Sequence, residues 1–89
     1  MIKSKVTLVN KLGLHARAAS KLMTTAATFS SQIHLAKDGQ IADAKNIMSL
    51  LMLAASMGTE LDLEIDGEDQ DNAYAAIVDL INRRFDEDE

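Results

Sequence analysis

The chain has 89 residues, a formal net charge of −5 and no cysteine. This length suits one domain with a single modest core, and the acidic balance excludes a general nucleic-acid binder, which needs a basic surface. Without cysteine the chain forms neither a disulfide framework nor a thiolate metal site. No apolar run is long enough to span a bilayer, and residues 1–6 lack the apolar core of a signal peptide, so we expect a cytoplasmic protein without direct membrane insertion.

Hydropathy patterns in the first half of the chain predict a strand, a helix and a hairpin. Residues 2–9 alternate with apolar side chains on one side, which predicts a strand with one buried face. Apolar residues then recur at helical spacing over 16–27, which predicts a helix. Residues 32–37 alternate again, and Asp38-Gly39 is typical of a two-residue turn into a short return strand at 40–42.

The middle of the chain predicts a short helix that is apolar on more than one face. It runs from Ile47 to Ala55, with Asn46 or Asp43 as its N-cap and Gly58 as its stop signal. A helix of this kind in a small domain cannot bury every side. We therefore expect part of its apolar surface to face solvent and to contact a partner.

The last third of the chain predicts one strand and one helix. Residues 60–66 alternate without exception, and Glu68 or Asp69 is suited to cap a helix whose apolar stripe extends to residue 84 or 85. We expect the acidic residues 86–89 to form a frayed tail. The order β-α-β-β-α-β-α fits an α+β domain in which a four-stranded antiparallel sheet carries helices on one face.

A histidine and an arginine lie where the first strand gives way to the first helix. Gly13 frees a loop that leads into His15, and the start of a helix offers unpaired backbone N–H groups and a partial positive charge. Neutral imidazole is a nucleophile, and Arg17 is spaced to reach the same anion, together with the N–H groups of Ala16 and Arg17. Judged by position alone, His15 is better explained as an ordinary N-cap residue.

Two blocks of sequence are similar to those of a known family. Residues 13–19, Gly-Leu-His-Ala-Arg-Ala-Ala, resemble the active-site signature of the HPr phosphocarriers of the phosphoenolpyruvate phosphotransferase system. Residues 43–48, followed by 50–53 and 58–60, resemble the second interaction segment of that family. The resemblance covers essentially the whole chain and implies one HPr domain over residues 1–89, folded as an open-faced β-sandwich.

The resemblance also implies a function. His15 would accept a phosphoryl group from phospho-enzyme I as a pros-phosphohistidine, Arg17 would stabilise the phosphate, and a histidine of a IIA-type protein would receive it. Such a protein is a carrier and co-substrate rather than a turnover enzyme, and no metal or organic cofactor is implied. We expect a monomer, because brief docking with successive partners favours a small free surface.

The resemblance places a partner-binding surface on the first two helices. For the methionines and leucine of the middle helix, packing in the core is the alternative. His34 has no partner at catalytic or metal-ligand spacing and is expected on the sheet surface. The predicted partner-binding residues are Ala16, Ser20, Lys21, Lys45, Asn46, Met48, Ser49, Leu51 and Met52.

Departures from the family pattern bear on regulation and on the branch. Ala18 replaces the usual proline, and Asn46 replaces a serine that a kinase phosphorylates in some members, so we expect that control to be absent. Residues 50–53, 58–60 and 84–88 resemble the nitrogen-related branch, NPr. Three alternatives stay open: a general sugar-transport HPr, a regulatory module without the chemistry, and an unrelated domain that binds an anion at a helix start.

Overall fold

The computed structural model describes all 89 residues. Its order, β-α-β-β-α-β-α followed by a short turn, is the predicted one. The strands are β1 (Ile2–Thr7), β2 (Gln32–Lys37), β3 (Gln40–Asp43) and β4 (Glu60–Asp66). The helices are α1 (Ala16–Ala27), α2 (Ile47–Met52) and α3 (Gln70–Asn82), and a C-terminal turn spans Arg84–Asp86.

The four strands form one antiparallel sheet in the order β1-β4-β2-β3. In register, Val6 pairs with Leu61, Leu35 with Leu63, and Ala42 with Leu35, so the apolar residues of all four strands share one face. The helices cover that face. The opposite face is open and charged, which confirms the predicted open-faced arrangement.

The core lies between the sheet and the helices. Each helix contributes fully buried apolar side chains, among them Leu22 of α1, Leu50 of α2 and Ile77 of α3. Burying one such side chain stabilises the fold by roughly 1.5–3 kcal/mol. None of the helices combines the length and the apolarity needed to cross a bilayer.

The middle helix is shorter than predicted. Asn46 is its N-cap, as expected, and accepts a hydrogen bond of 3.1 Å from the Ser49 backbone. The helix ends at Met52 rather than near Ala55, because Ala54 adopts a left-handed conformation with φ of 50°. The Lys37 ammonium donates to the carbonyls of Leu53 and Ala54 at 3.1 and 3.3 Å, which satisfies this end of the helix.

The last helix leads into an unusual turn. Arg84, Phe85 and Asp86 have φ of 60°, 54° and 64°, so three consecutive residues other than glycine are left-handed. The Phe85 side chain is fully buried and anchors this turn in the core. The turn reverses the chain and directs residues 86–89 back along the molecule toward the start of α1.

Candidate active site at the start of the first helix

The loop before α1 is held against the segment that follows α2. Leu14 is buried, and its backbone N–H donates to the Ala55 carbonyl at 2.9 Å. Gly13 has φ of 65°, and a Cβ there would lie 2.5 Å from the Ala55 oxygen and 2.7 Å from Cα of Ser56. Only glycine fits such a left-handed, closely packed position. This packing fixes where the chain enters α1.

His15 is the N-cap of α1. Its backbone is extended, with φ of −78° and ψ of 179°, and its carbonyl accepts the first helical hydrogen bond from Ala19 at 2.8 Å. The imidazole makes no capping hydrogen bond, and the His15 side chain is 29% exposed. The N–H groups of Ala16 and Arg17, in the first turn, have no intrahelical partner. They are therefore free to bind an anion beside the ring.

Three positive side chains line the same groove as the ring. Arg17 is exposed and takes part in none of the ion pairs of the protein. Lys11 and Lys21 lie in the same groove. The groove is lined by Lys11, Leu12, His15, Ala16, Arg17, Lys21 and the four residues 86–89. The groove therefore brings the imidazole of His15 and an unpaired guanidinium together.

The acidic residues 86–89, here called the acidic segment, form one wall of this groove. Lys21 donates to the Phe85 carbonyl at 2.8 Å and lies 3.6 Å from the Asp86 carboxylate. The Lys11 backbone donates to the Glu89 carbonyl at 3.0 Å, and its ammonium lies 3.1 Å from the Glu89 carboxylate. The expectation of a frayed tail is wrong here, because hydrogen bonds and opposite charges hold this segment on α1.

Glu87 makes the closest contact with the histidine. Its Oε2 hydrogen-bonds with His15 Nε2, and its Oε1 accepts a hydrogen bond of 2.9 Å from Asn10 Nδ2. Asn10 is fully buried and also donates to the Gly13 carbonyl at 2.7 Å. Burial alone would raise the pKa of Glu87, but the hydrogen bonds from Asn10 and His15 and the nearby charges lower it below its ordinary value.

The family model described as the phosphorylation site of the PTS HPr component matches residues 2–83. The chain belongs to the HPr family. A phosphocarrier protein HPr of Neisseria meningitidis serogroup A is 46% identical over 89 residues, which is the full length of both chains. A phosphocarrier protein NPr of Shewanella violacea is 42% identical over 86 residues, 97% of this chain and 94% of its own.

Solved structures agree with this assignment. HPr-C-His from Thermoanaerobacter tengcongensis matches with a TM-score of 0.95 at 40% identity, and the match covers both chains completely. At this identity the likeness extends beyond the fold. The protein is therefore an HPr-type phosphocarrier of the phosphotransferase system.

The structure brings together only part of the predicted HPr partner surface. Ala16 is exposed and lines the groove with the half-buried Lys21, while Ser20, on the same helix, is also half-buried. On α2, Met48 and Met52 are 62% and 65% exposed, whereas Leu51 packs on the core. Both methionines are therefore available to a partner.

The remaining predicted residues lie further from the histidine. Lys45 donates from its ammonium to the Phe29 carbonyl at 2.7 Å, just beyond the C-terminus of α1. His15 is at the other end of this helix, which is about 18 Å long. Asn46 and Ser49 are joined in the N-cap of α2, near Lys45 in sequence. These residues would extend a partner surface along α1 rather than contribute to the groove.

Sequence reasoning missed Asn10 and Glu87. Asn10 precedes Gly13 by three residues. This spacing is a weak signal for a hydrogen bond from the asparagine side chain to the backbone of its own loop. Glu87 lies in an acidic run that is typical of a solvated terminus. His34 is half-buried in β2, opposite Asp43 and Glu64 in register, and the structure gathers no group of three metal-ligating side chains.

Proposed function

We propose that His15 accepts a phosphoryl group from phospho-enzyme I and passes it to a histidine of a IIA-type protein. The observation that supports this most directly is the position of the ring. It lies partly exposed at the start of α1, in one groove with the unpaired guanidinium of Arg17. A reactive nitrogen thus stands beside groups that bind phosphate.

The transfer needs no group beyond these residues and the donor. The lone pair of His15 Nδ1 forms a bond to phosphorus, and the bond from phosphorus to the donor nitrogen breaks, with its electron pair returning to the donor ring. Arg17 and the N–H groups of Ala16 and Arg17 bind the phosphoryl oxygens during this in-line displacement. The product is a pros-phosphohistidine. Transfer onward to a IIA-type histidine is the same step in reverse.

We propose that exposed apolar side chains of the groove and of α2 receive both partners. Leu12, Met48 and Met52 are each more than half exposed, at 65%, 62% and 65%. Leu12 lies in the groove with the cations and the two methionines lie on α2, so together they suit an acidic partner with an apolar patch. A free surface of this kind fits a monomer, and sedimentation velocity of the protein alone tests that expectation.

The branch is a finer proposal. We propose that this carrier works in the nitrogen-related branch, in the cytoplasm, with a nitrogen-type enzyme I as donor. The support is the likeness of residues 50–53, 58–60 and 84–88 to that branch, together with the NPr relative at 42% identity. A relative named HPr is more similar overall, at 46%, so these segments rather than overall identity carry the proposal.

Intact-mass analysis tests both levels of the proposal. The protein and its His15→Ala variant are incubated with phosphoenolpyruvate and either a nitrogen-type or a sugar-type enzyme I. We expect one added phosphoryl group, labile in acid and absent from His15→Ala, with the faster labelling by the nitrogen-type donor. Faster labelling by the sugar-type donor overturns the branch, and no labelling by either donor overturns the carrier function in favour of a regulatory module.

A further inference from the structure

We propose that Glu87 is a positioning residue that fixes the tautomer of His15. By accepting the hydrogen of Nε2, its carboxylate leaves the lone pair on Nδ1, so that Nδ1 is the nitrogen that attacks phosphorus. The inference rests on the proposed function, because it assigns the reactive nitrogen of the same histidine. It goes further in naming a carboxylate from the other end of the chain as the group that selects this nitrogen.

The contact between Glu87 and His15 is held from both sides. One carboxylate oxygen faces His15 Nε2, and the other accepts the hydrogen bond from Asn10 Nδ2 at 2.9 Å. Asn10 is fully buried, and its second amide hydrogen is bound by the Gly13 carbonyl at 2.7 Å. The Glu87 side chain is only 12% exposed. The buried Asn10 thus holds one carboxylate oxygen in place, and the other oxygen is directed at His15 Nε2.

The backbone on both sides of Glu87 is also held in position, which places its carboxylate beside His15. The left-handed turn at Arg84–Asp86 is anchored by the buried Phe85, and Lys21 donates to the carbonyl of that residue. Further along, the Lys11 backbone pairs with Glu89. Three left-handed residues without glycine are an unfavourable conformation that persists only when surrounding contacts hold it. The structure therefore maintains Glu87 on the ring through several independent contacts.

The chemistry gives this carboxylate two effects. Neutral imidazole has one N–H and one lone pair, and a hydrogen-bond acceptor at Nε2 selects the tautomer whose lone pair is on Nδ1. When Nδ1 bonds to phosphorus, the ring keeps its Nε2 hydrogen and becomes positively charged, and Glu87 then faces a cation. In the reverse step the ring leaves as neutral imidazole, because the proton has stayed on Nε2 throughout.

A small chemical phosphoryl donor tests the effect of Glu87 on the ring without any contribution from the binding of enzyme I. Phosphoramidate phosphorylates histidine without a protein donor: its P–N bond breaks, ammonia leaves, and the phosphoryl group becomes bound to a ring nitrogen. The full-length protein is compared with Glu87→Ala, Glu87→Gln and Glu68→Gln, the last being the same change at an exposed glutamate outside the groove. Nitrogen NMR of the ring gives its tautomer, and phosphorus NMR gives the phosphorylated nitrogen.

We expect the unmodified protein and Glu68→Gln to be labelled on Nδ1 alone. Glu87→Ala should give a mixture of Nδ1 and Nε2 products, with Nδ1 labelling slowed about tenfold. Glu87→Gln offers only one oxygen to the two donors Asn10 Nδ2 and His15 Nε2, and its NH2 group must face one of them, so it should not restore labelling on Nδ1 alone. Amide spectra confirm that each variant is folded.

The outcomes distinguish this inference from the carrier function. If Glu87→Ala keeps the tautomer, the labelled nitrogen and the rate of the unmodified protein, Glu87 is not a positioning residue, whatever enzyme I does. If the tautomer and the labelled nitrogen change as expected but no enzyme I transfers phosphate, the inference about Glu87 holds and the proposed function fails.

Discussion

The ammonium of Lys21 donates a hydrogen bond of 2.8 Å to the carbonyl of Phe85 and lies 3.6 Å from the Asp86 carboxylate. Lys21 is one turn beyond Arg17 on α1, so this contact ties the C-terminal turn to the helix that carries the site. Two residues that are 64 positions apart thereby help to hold the acidic segment beside the histidine.

Removing this contact should release the acidic segment. In Lys21→Ala we expect the amides of Asp86 and Glu87, which are bonded within the turn, to exchange with solvent about tenfold faster, because one hydrogen bond that opposes local opening is lost. Hydrogen exchange followed by NMR measures this. Lys3→Ala, which removes an exposed lysine from the outer sheet face, is the control. Unchanged exchange in Lys21→Ala would show that other contacts suffice.

Arg17 should matter for transfer and hardly at all for stability. Its side chain is exposed and outside every ion pair, so Arg17→Ala should change the free energy of unfolding by less than about 0.5 kcal/mol. Loss of the guanidinium from the phosphoryl oxygens should slow transfer from enzyme I roughly 100-fold, with Arg17→Lys intermediate. Urea unfolding and rapid-quench kinetics test the two halves. A variant that transfers at the unmodified rate would remove Arg17 from the site.

Asp69 links the start of α3 to the loop before β2. Its carboxylate accepts from the Ser31 hydroxyl and from the backbone of Ser30 and Ser31 at 2.9 and 3.0 Å, and these hydrogen bonds lower the pKa of Asp69 to about 2. Because this pKa is below its unfolded value of 3.8, the carboxylate stabilises the fold above about pH 4 and loses that effect as the pH falls toward 2.

The pH dependence follows from that sign. Asp69→Asn should be less stable than the unmodified protein at neutral pH, and the difference should narrow between about pH 4 and pH 2. Thermal unfolding across this range measures it. Asp71→Asn, an exposed change in the first turn of the same helix, is the control. At neutral pH its stability should differ from that of the unmodified protein by less than the stability of Asp69→Asn does. A gap between Asp69→Asn and the unmodified protein that stays constant down to pH 2 would contradict the assignment.

Alanine substitutions at Gly13 and Gly39 distinguish the cost of a positive φ from the cost of a steric clash. Gly13 and Gly39 both have positive φ, but only at Gly13 does an added Cβ meet backbone atoms, at 2.5 Å, whereas nothing lies within 4 Å at Gly39. Gly39→Ala should therefore cost about 1 kcal/mol of unfolding free energy, and Gly13→Ala clearly more, roughly 3 kcal/mol. Urea titrations compare them. An equal loss of unfolding free energy in the two variants would mean that the loop before α1 can shift to accommodate the added Cβ.

Much of the fold could be predicted from the sequence because the strands and helices have clear periodicities. The one-sided alternation of residues 60–66 and the helical spacing of 16–27 gave the bounds that the structure has. Asn46 was also identified correctly as a cap, because an asparagine before an apolar helical run has a local mechanism. Local signals of this kind need no knowledge of distant residues.

The features that were missed depend on distant contacts. Ala54 and Arg84–Asp86 adopt left-handed conformations that glycine usually occupies. The local sequence therefore does not predict that α2 ends early or that the C-terminal chain reverses its direction. The bond from Lys45 to the Phe29 carbonyl likewise joins two loops that become neighbours only after α1 and α2 pack. His15 and Arg17 could be expected in one place because they are close in sequence, whereas Glu87, 72 residues after His15, could not.

The position of the acidic segment also decides where a reporter group can be attached. A fluorophore or affinity tag joined after Glu89 would begin beside Lys11, at the rim of the groove that contains the His15 ring. Met1 lies 3.7 Å from Asp66, at the far end of β1, and this strand is about 20 Å long. Labels for kinetic work therefore belong at the amino terminus, where they leave the imidazole undisturbed.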